Sequence, residues 1–217
     1  MVIDFHTHTT LSDGQLLLSE SVRRAEARGY RAIGLTDHVD FSNVERVVAE
    51  TVRGCERLNA LAGPAAIPGI EITHVPPDLI PELIALGRRL GARLVIVHGE
   101  TMVEPVRPGT NRAAIMGGVD ILAHPGLVSD EDCRLARERG THFELSARKG
   151  HSLGNGHVAR QALKFGIPLV VNSDAHSPDD LLTPELWRNV GLGAGLSPDE
   201  WSRVEQNSLT LLKKAGF

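Results

Sequence analysis

Two histidines near the start of the chain, His6 and His8, have the spacing of metal ligands on a β-strand. Alternate side chains of an extended segment share a face, so Asp4, His6 and His8 are expected to point the same way. A neutral imidazole nitrogen is a good ligand for zinc, manganese, iron or nickel, and two such rings on one face form half of a metal site. The pair also fits a surface strand, so its meaning depends on the polar residues that follow later strands.

Polar side chains with the chemistry of metal ligands recur at the ends of later apolar segments. These residues are His38, Glu71, His98, His124, and Asp174 with His176. The carboxyl ends of parallel strands in a barrel meet at one end of the fold. We therefore expect these side chains to converge on one mouth.

The apolar segments predict seven β-strands with helices between them. They cover residues 2–8, 32–35, 66–71, 94–97, 121–123, 142–145 and 169–171. Strands that are buried on both faces are rich in Val, Ile and Leu, and strands connected through helices pair in parallel by right-handed crossovers. The sequence therefore predicts an α/β fold, a closed or nearly closed TIM-like (β/α)7 barrel with its function at the C-terminal ends of the strands.

Helix signals complete this scheme. A helix is predicted over residues 19–28, with Ser19 as its cap and Gly29 just past its end. Residues 186–187 and 191–195 are interpreted as loop. The signature Ser197-Pro198-Asp199-Glu200 predicts a closing C-terminal helix over about residues 198–215. No interdomain linker is found, so residues 1–217 are expected to form a single barrel domain.

The composition limits the classes of function. With a net charge of -4 and 4% aromatic residues, the chain lacks the basic stripe and stacking platforms of a nucleic-acid binder, so no such partner is expected. Cys55 and Cys133 are far apart without CxxC spacing, which favours a reducing compartment. No apolar stretch reaches membrane-spanning length, and Asp4 and His6 stand where a signal peptide needs an apolar run. A cytoplasmic protein without a membrane partner is expected, and its oligomeric state stays open.

Taken in order, these motifs resemble the polymerase-and-histidinol-phosphatase (PHP) family, and within it the stand-alone, histidinol-phosphatase-like phosphoesterases. The motifs are His6-x-His8, Asp13, Thr36-Asp37-His38, Gly69-Ile70-Glu71, His98, Ala123-His124-Pro125 and Ser173-Asp174-Ala175-His176. The resemblance covers the chain from residue 2 to about residue 180. It implies a distorted PHP-type barrel, up to three divalent metal ions in its mouth, and phosphoester hydrolysis as the activity.

The resemblance also implies which residues hold the metals, which would be zinc, manganese or iron. The three sets are His6, His8, Glu71 and Asp174 for one metal; Asp13, His38 and His176 for a second; and Glu71, His98 and His124 for a third. Glu71 would bridge two metals, and such carboxylates offset the repulsion between neighbouring cations. Some relatives carry histidine where Asp13 stands, and the carboxylate favours manganese or magnesium over zinc there.

A mechanism follows as a hypothesis. Water that bridges two metals loses a proton near neutral pH, and the resulting hydroxide attacks phosphorus in line. The third metal stabilises charge on the phosphoryl and leaving oxygens, so no catalytic residue beyond the metal ligands is required. Arg148 and Lys149, just after the sixth strand, are expected to bind the substrate phosphate.

Other polar residues near the strand ends have less specific roles. Asp4 could fix an imidazole tautomer or make a structural hydrogen bond, and Asp37 is expected to bond backbone amides. Glu144 could orient Arg148 or a substrate, or form an internal salt bridge. Structural rather than substrate-facing roles are expected for His74, His142, His151, His157, Glu100 and Asn111.

The expected activity is that of a phosphatase acting on a small phosphorylated metabolite. Histidinol phosphate is one candidate, although the chain has little inserted material to build an amino-alcohol pocket. The nearest alternative is a nuclease or nucleotide phosphodiesterase. A non-catalytic RNA-binding scaffold is another, because residues 145–157 resemble archaeal proteins related to a ribonuclease P subunit. Metal-dependent C–N hydrolysis of the amidohydrolase kind is a third, but Lys149 and Lys164 are poorly placed to bridge metals.

Overall fold

The strands of the protein form one parallel sheet that curves into a nearly closed barrel. A computed structural model describes all of residues 1–217. The strands are β1 (Val2–Thr7), β2 (Tyr30–Leu35), β3 (His38–Val39), β4 (Ala65–Ile72), β5 (Leu94–His98), β6 (Ile121–Ala123), β7 (His142–Ser146) and β8 (Leu169–Asn172). Seven of them pair in the order β1-β2-β4-β5-β6-β7-β8, and the short β3 pairs with β4. Every pair is parallel, which confirms the predicted seven-stranded α/β barrel.

The barrel closes where the first and last strands meet. Thr7 forms an isolated parallel bridge with Ala175, just beyond β8. The backbone N–H of His8 donates to the carbonyl oxygen of Ala175 at 2.8 Å. Deeper in this seam, the N–H of Phe5 donates to Oδ1 of Asn172 at 2.9 Å. These bonds bring the polar ends of β1 and β8 together.

Strand β1 does not keep the strict alternation that the sequence predicts. Phe5 packs in the barrel interior, yet the ring of His6 next to it also turns inward, where its Nδ1 lies 2.8 Å from Oε2 of Glu144. The register of β1 against β2 shifts between Asp4 and Thr7, and such an irregularity re-aims side chains. The prediction that Asp4 shares a face with the two histidines was therefore wrong.

Eight α-helices surround the barrel. They are α1 (Leu18–Ala27), α2 (Val44–Asn59), α3 (Ile80–Leu90), α4 (Thr110–Met116), α5 (Asp130–Arg139), α6 (Asn155–Phe165), α7 (Pro184–Gly193) and α8 (Pro198–Lys214). Short 3-10 turns cover Pro77–Leu79, His151–Gly154 and Pro178–Asp180. None of the helices has the length and apolar character needed to cross a membrane.

The start of α1 differs from the prediction. Leu17 takes the cap position without a side-chain hydrogen bond, and Ser19 lies inside the first turn, so the predicted Ser19 cap was wrong. Leu18 lies directly over Gly54 of α2, where a Cβ would meet it at 2.9 Å. This packing of Leu18 favours the earlier helix start over the polar cap.

Residues 184–193 form helix α7, so the loop predicted over parts of this segment was wrong. The hydroxyl of Thr183 accepts a hydrogen bond from the N–H of Leu186 at 3.1 Å, and Pro184 occupies the first turn. Trp187 is buried, and its indole N–H donates to the carbonyl oxygen of Val171 at 2.9 Å. The glycines near the end of the segment led to the loop prediction, whereas burial of Trp187 stabilises the helix.

Helix α8 closes the amino-terminal end of the barrel. Its predicted capping box is present: Oγ of Ser197 accepts from the N–H of Glu200 at 3.3 Å, and Glu200 accepts from the N–H of Ser197 at 2.7 Å. Leu211 packs in the apolar cluster that fills the barrel interior. Nζ of Lys214 lies 3.0 Å from Asp120, the residue before β6. The polar mouth therefore lies at the opposite, carboxyl end of the strands.

Candidate metal centre

The nine predicted metal ligands lie together at the carboxyl ends of the strands. They come from β1 and the loop after it, from β3, β4 and β5, and from the segments directly after β6 and β8: His6, His8 and Asp13; His38; Glu71; His98; His124; and Asp174 with His176. They form several groups whose potential ligand atoms lie within 4.8 Å of one another. The convergence expected from the strand ends is confirmed, and metal binding by these residues stays a prediction.

Glu71 lies at the centre of the cluster and is fully buried. Its Oε2 lies 2.7 Å from Nδ1 of His38, 3.3 Å from Nε2 of His6 and 3.6 Å from Nε2 of His8. Its Oε1 lies 3.6 Å from Nε2 of His124. Burial favours the neutral acid, but the charges of His6 and His38 outweigh it and hold the pKa of Glu71 well below its usual value. The ionised carboxylate can therefore face two cation positions.

Asp174 supplies a second buried carboxylate. Its Oδ1 lies 3.2 Å from Nε2 of His8 and 3.7 Å from Nε2 of His6, and its Oδ2 lies 3.7 Å from Nε2 of His124. Burial opposes ionisation, yet the charge of His6 and the close contact with His8 hold the pKa of Asp174 far below its usual value. The backbone of Asp174 has a φ of 54° and that of His124 a φ of 28°. Left-handed conformations of such residues are costly and cluster at functional sites.

The outer part of the cluster is centred on Asp13. Its Oδ1 lies 3.2 Å from Nε2 of His176, 3.6 Å from Nε2 of His38 and 4.0 Å from Nδ1 of His8. Partial burial is outweighed by the hydrogen bond with His176 and the charge of His38, so the pKa of Asp13 is lowered from its usual value. The side chain of Asp13 is 57% exposed, so this end of the cluster opens to solvent.

Asp37 holds the loop that carries Asp13. Its Oδ1 accepts hydrogen bonds from the backbone N–H groups of Thr9 at 2.8 Å and Ser12 at 3.0 Å. This confirms the prediction that Asp37 bonds backbone amides. The carboxylate thus acts on the site by fixing the loop rather than by facing the mouth.

Glu144 fixes the ring of His6 from below. Its Oε2 accepts a hydrogen bond from Nδ1 of His6 at 2.8 Å and another from Nδ2 of Asn172 at 2.8 Å. With Nδ1 protonated, the lone pair of His6 is on Nε2 and faces Glu71. Glu144 thus makes an internal ion pair with His6, one of its predicted alternatives, and Arg148 instead contacts Asp174 and His176.

Several buried polar atoms of the cluster lie close to one another but make no well-aligned hydrogen bond. They are Nε2 of His6, both ring nitrogens of His8, both oxygens of Glu71 and Nδ1 of His124. Burying a polar group without a partner is costly, and each such group in a native fold requires an explanation. Converging imidazole nitrogens and carboxylate oxygens are a donor set for zinc, manganese and iron. Divalent cations would satisfy these atoms, so the residues present fit such ions.

Three side chains that sequence reasoning did not assign to the site also reach it. Oε2 of Glu104 lies 3.0 Å from Nε2 of His98 and 3.2 Å from Nε2 of His74. Oε1 of Glu104 lies 3.3 Å from Nε2 of His151. Glu104 lies in the loop after β5, and no sequence motif surrounds it. Its position after a strand end is the only sequence signal that could have identified it as a site residue. His74 and His151, for which structural roles were expected, line the mouth.

A polar cavity of about 200 Å³ opens over the cluster, and no hydrophobic residue lines it. Arg148 is part of this lining. Its Nη1 donates to the carbonyl oxygen of Asp174 at 3.2 Å and lies 2.6 Å from Nδ1 of His176. Lys149 is exposed and does not line the cavity. Of the two predicted substrate-binding residues, the structure thus brings Arg148 to the mouth.

Other polar residues make structural contacts. Oδ1 of Asp4 accepts from the backbone N–H of Ser173 at 3.1 Å, so Asp4 has the structural role of its two expected alternatives. His142 is buried at the start of β7, at the far end from the mouth. Nε2 of His157 lies 2.9 Å from the carbonyl oxygen of Val128. The structural roles predicted for these two histidines agree with their positions.

The loop after β5 is braced against the start of α4. Oε1 of Glu100 accepts hydrogen bonds from the N–H groups of Gly109 at 3.0 Å and Asn111 at 2.9 Å. Oδ1 of Asn111 accepts from the N–H of Glu100 at 2.9 Å. These bonds account for the polarity of the loop and hold the segment that carries Glu104.

The sequence is similar to known proteins over most of its length. The family model of the PHP domain matches residues 4–94. An uncharacterized protein of Methanocaldococcus jannaschii is 45% identical over 202 residues, which cover 92% of this chain and 93% of the relative. A protein of Thermoanaerobacter sp. named a probable phosphatase is 26% identical over 230 residues, covering 92% and 89%. A chain of archaeal ribonuclease P with mature tRNA has a TM-score of 0.71 at 16% identity, over 97% of this chain and 90% of that chain, and this likeness concerns the fold alone.

Proposed function

This chain belongs to the PHP domain family, and from that premise we propose that it is a metal-dependent phosphatase of a small phosphorylated metabolite. The observation that carries the proposal is the set of buried, unpartnered nitrogen and oxygen atoms around Glu71. Such a set is expected to bind cations, because without them its burial is costly. The similarity to a protein named a probable phosphatase supports phosphate esters as the substrate class.

Three positions in the cluster would each hold a divalent cation, with zinc, manganese and iron as the candidates. The residues are His6, His8, Glu71 and Asp174 at the centre; Asp13, His38 and His176 on the outer side; and His98 with His124 on the side of β5 and β6. Bound cations would supply Lewis acidity toward the phosphoryl group and would activate water. The charge of Glu71 would offset the repulsion between neighbouring cations.

Arg148 would bind the phosphoryl group of the substrate. Its Nε lies 3.8 Å from Oδ2 of Asp174, and its side chain is 34% exposed, so its N–H groups can reach an incoming phosphate. The planar guanidinium matches the spacing of phosphate oxygens. Its hydrogen bond to the carbonyl oxygen of Asp174 orients the arginine before the substrate binds.

The cavity supports water as the nucleophile. Thr73 is the only hydroxyl-bearing residue of the lining, and its Oγ1 already lies 2.6 Å from Nδ1 of His38. Cys55 and Cys133 are buried and do not line the cavity. Hydrolysis without a covalent protein intermediate therefore fits these residues.

The lining also favours a small substrate. About 200 Å³ of space without a hydrophobic residue suits a polar phosphomonoester. A nucleobase would find no phenyl or indole ring to stack on there, although such stacking is a main source of affinity for nucleic-acid bases. The cavity thus favours a phosphorylated metabolite over a nucleotide or an oligonucleotide.

Phosphate release from a panel of monoesters and diesters, including histidinol phosphate, tests the proposal. The protein would be reconstituted with manganese or zinc and compared with the variants His8→Ala and His157→Gln. We expect metal-dependent release from monoesters that His8→Ala abolishes, because His8 contacts both Glu71 and Asp174. The control His157→Gln changes a histidine outside the cavity and should retain the activity.

Other outcomes of this experiment would replace the proposal. Release from diesters or nucleotides alone would favour a nuclease or nucleotide phosphodiesterase. RNA affinity that survives chelation, with no turnover, would favour a scaffold. C–N hydrolysis with a metal-bridging lysine has no support, because Nζ of Lys164 lies 2.7 Å from Asp130 on α5 and Lys149 is exposed.

A further inference from the structure

We propose that Glu104 and His151 complete the third cation site, so that His98, His124, His151 and Glu104 together hold one divalent cation at the edge of the mouth. This inference rests on the proposed function, because it adds two ligands to the same metal centre. Neither residue is among the nine ligands that the sequence predicts. Both reach the cluster from loops, Glu104 after β5 and His151 after β7.

The ring of His98 has the orientation of a ligand. Its Nδ1 lies 3.2 Å from the carbonyl oxygen of Gly99, which can only accept, so Nδ1 carries the proton and donates. The lone pair is then on Nε2, which lies 3.0 Å from Oε2 of Glu104. Metal-binding histidines commonly donate their other ring N–H to a backbone carbonyl in this way. The close carboxylate contact of His98 is with Glu104 and not with the central Glu71.

His151 has the same arrangement as His98, with a threonine hydroxyl instead of a backbone carbonyl as the acceptor of the Nδ1 proton. It is 6% exposed, and its Nδ1 lies 2.8 Å from Oγ1 of Thr101, which can accept the ring proton. Its Nε2 is then free and lies 3.3 Å from Oε1 of Glu104. The ring stacks on that of His124 with centroids 4.1 Å apart and an interplanar angle of 16°. The two oxygens of Glu104 therefore each face a different imidazole.

Three of the four donors are imidazoles that lie close together, and Glu104 contacts two of them, His98 and His151. One ring nitrogen from each of His98, His124 and His151 lies within 4.8 Å of the others, and all three residues are buried. Nδ1 of His124 is a buried nitrogen without a hydrogen-bond partner, which points independently to a missing ligand. Three neutral imidazoles carry no charge, so the carboxylate of Glu104 would offset the charge of the cation. The side chain of Glu104 is 36% exposed, which leaves one side open to water or a substrate oxygen.

The two loops that supply these residues are held together before any ligand binds. Gly150 has a φ of 91°, and a Cβ placed on it would lie 3.2 Å from the side chain of Val103. The contact between Thr101 and His151 joins the same loops at 2.8 Å. Ligands on braced segments lose little freedom on binding a metal, so the geometry favours a preformed site.

Metal content tests this inference without a substrate. Wild-type protein, Glu104→Gln and His151→Gln would be reconstituted with zinc, separated from free metal and analysed by mass spectrometry and by chelator competition. We expect three cations per wild-type chain. Each variant should hold two, or hold the third with an affinity reduced by about 10- to 100-fold or more. With cobalt as the probe, loss of the His151 nitrogen should also change the visible absorption of the last equivalent bound.

Matched controls separate this inference from the proposed function. Glu82→Gln makes the same charge change on the exposed face of α3, and His157→Gln removes a histidine outside the cavity. Three cations bound with unchanged affinity in both site variants would overturn the inference and leave the proposed function intact. A wild-type chain that binds two cations, with both retained in each of the two site variants, would also overturn the inference alone. A wild-type chain that binds none would overturn both.

Discussion

Nδ1 of His6 donates a hydrogen bond of 2.8 Å to Oε2 of Glu144, and both side chains are fully buried beneath the candidate metal centre. Burial lowers the pKa of His6, but the charges of Glu144, Glu71 and Asp174 outweigh it and raise that pKa well above its usual value. A proton on Nε2 and a cation would therefore compete for the same atom. Glu144 sets the tautomer, while the centre as a whole attracts positive charge.

The variant Glu144→Gln tests whether Glu144 promotes cation binding by holding the Nδ1 proton of His6. The amide lacks the charge that holds the Nδ1 proton of His6, so we expect cation affinity to fall about 10- to 100-fold, as is typical when an outer partner of a ligating histidine is lost. Chelator competition measures the change, and Glu82→Gln on the exposed face of α3 is the control. An affinity equal to that of the wild type would mean that Glu144 serves only the packing of the barrel.

Arg148→Ala tests substrate binding. Loss of the guanidinium removes charge-assisted hydrogen bonds to phosphate, each of which contributes about 1.5 to 3 kcal/mol, so we expect KM for phosphomonoesters to rise about tenfold or more. Lys149→Ala removes a positive charge next in sequence but outside the cavity and should have a much smaller effect. Equal KM values for the wild type and Arg148→Ala would show that Arg148 does not bind the substrate phosphate.

Chelation should destabilise the folded protein. A ligand that is present at 100 times its dissociation constant stabilises the native state by about 2.7 kcal/mol, and each kcal/mol shifts the Tm of a domain of this size by about 2–4 °C. We therefore expect EDTA to lower the Tm of the zinc-loaded protein by about 5–10 °C in scanning calorimetry. The variant His8→Ala, which lacks a donor at the centre, should show a smaller shift. No shift in the wild type would contradict cation binding.

His142 predicts a pH dependence of stability away from the mouth. Its burial, with the charge of Lys214 as a further cause, lowers the pKa of His142 from 6.5 to about 4. Between these two pH values the imidazole is protonated in the unfolded chain but neutral in the folded chain. The free energy of unfolding is therefore unaffected by this residue above pH 6.5 and decreases as the pH falls from 6.5 toward 4. The loss between pH 7 and pH 5 is about 2 kcal/mol.

Urea unfolding at several pH values measures this loss. The variant His142→Leu should lack it, so the difference in unfolding free energy between variant and wild type should change in favour of the variant on acidification. Fluorescence of Trp187 and Trp201, whose rings lie 4.8 Å apart, reports the transition. A parallel pH dependence in the two proteins would show that His142 does not titrate in this range.

The features that the sequence predicts are those with a periodic or local signal. Strands that are buried on both faces stand out as aliphatic runs, and the side chains at their ends, such as Glu71 and His98, converge because all the strands run in parallel. The capping box of Ser197 is equally local. For the same reason the nine candidate ligands are recognisable from the sequence alone, since each lies at a strand end or in the loop that follows it.

The features that the sequence misses depend on contacts across loops or on irregular backbone. Glu104 and His151 meet His98 through two loops whose paths no local pattern fixes. The register shift in β1 is a tertiary adjustment that breaks simple alternation and turns Asp4 toward Ser173. Helix α7 depends on the burial of Trp187, which outweighs the glycines beside it.

The seam between β1 and β8 has a consequence for biosynthesis. Phe5 bonds to Asn172, which lies 167 positions later in the chain. At about 5–20 residues per second, the first strand leaves the ribosome on the order of ten seconds before its partner. During that interval His6 and His8 have no Asp174 beside them, so a nascent chain presents only a weak, unselective pair of imidazoles. If the barrel binds cations as proposed, metal loading would therefore follow translation, and the folded barrel would select the ion.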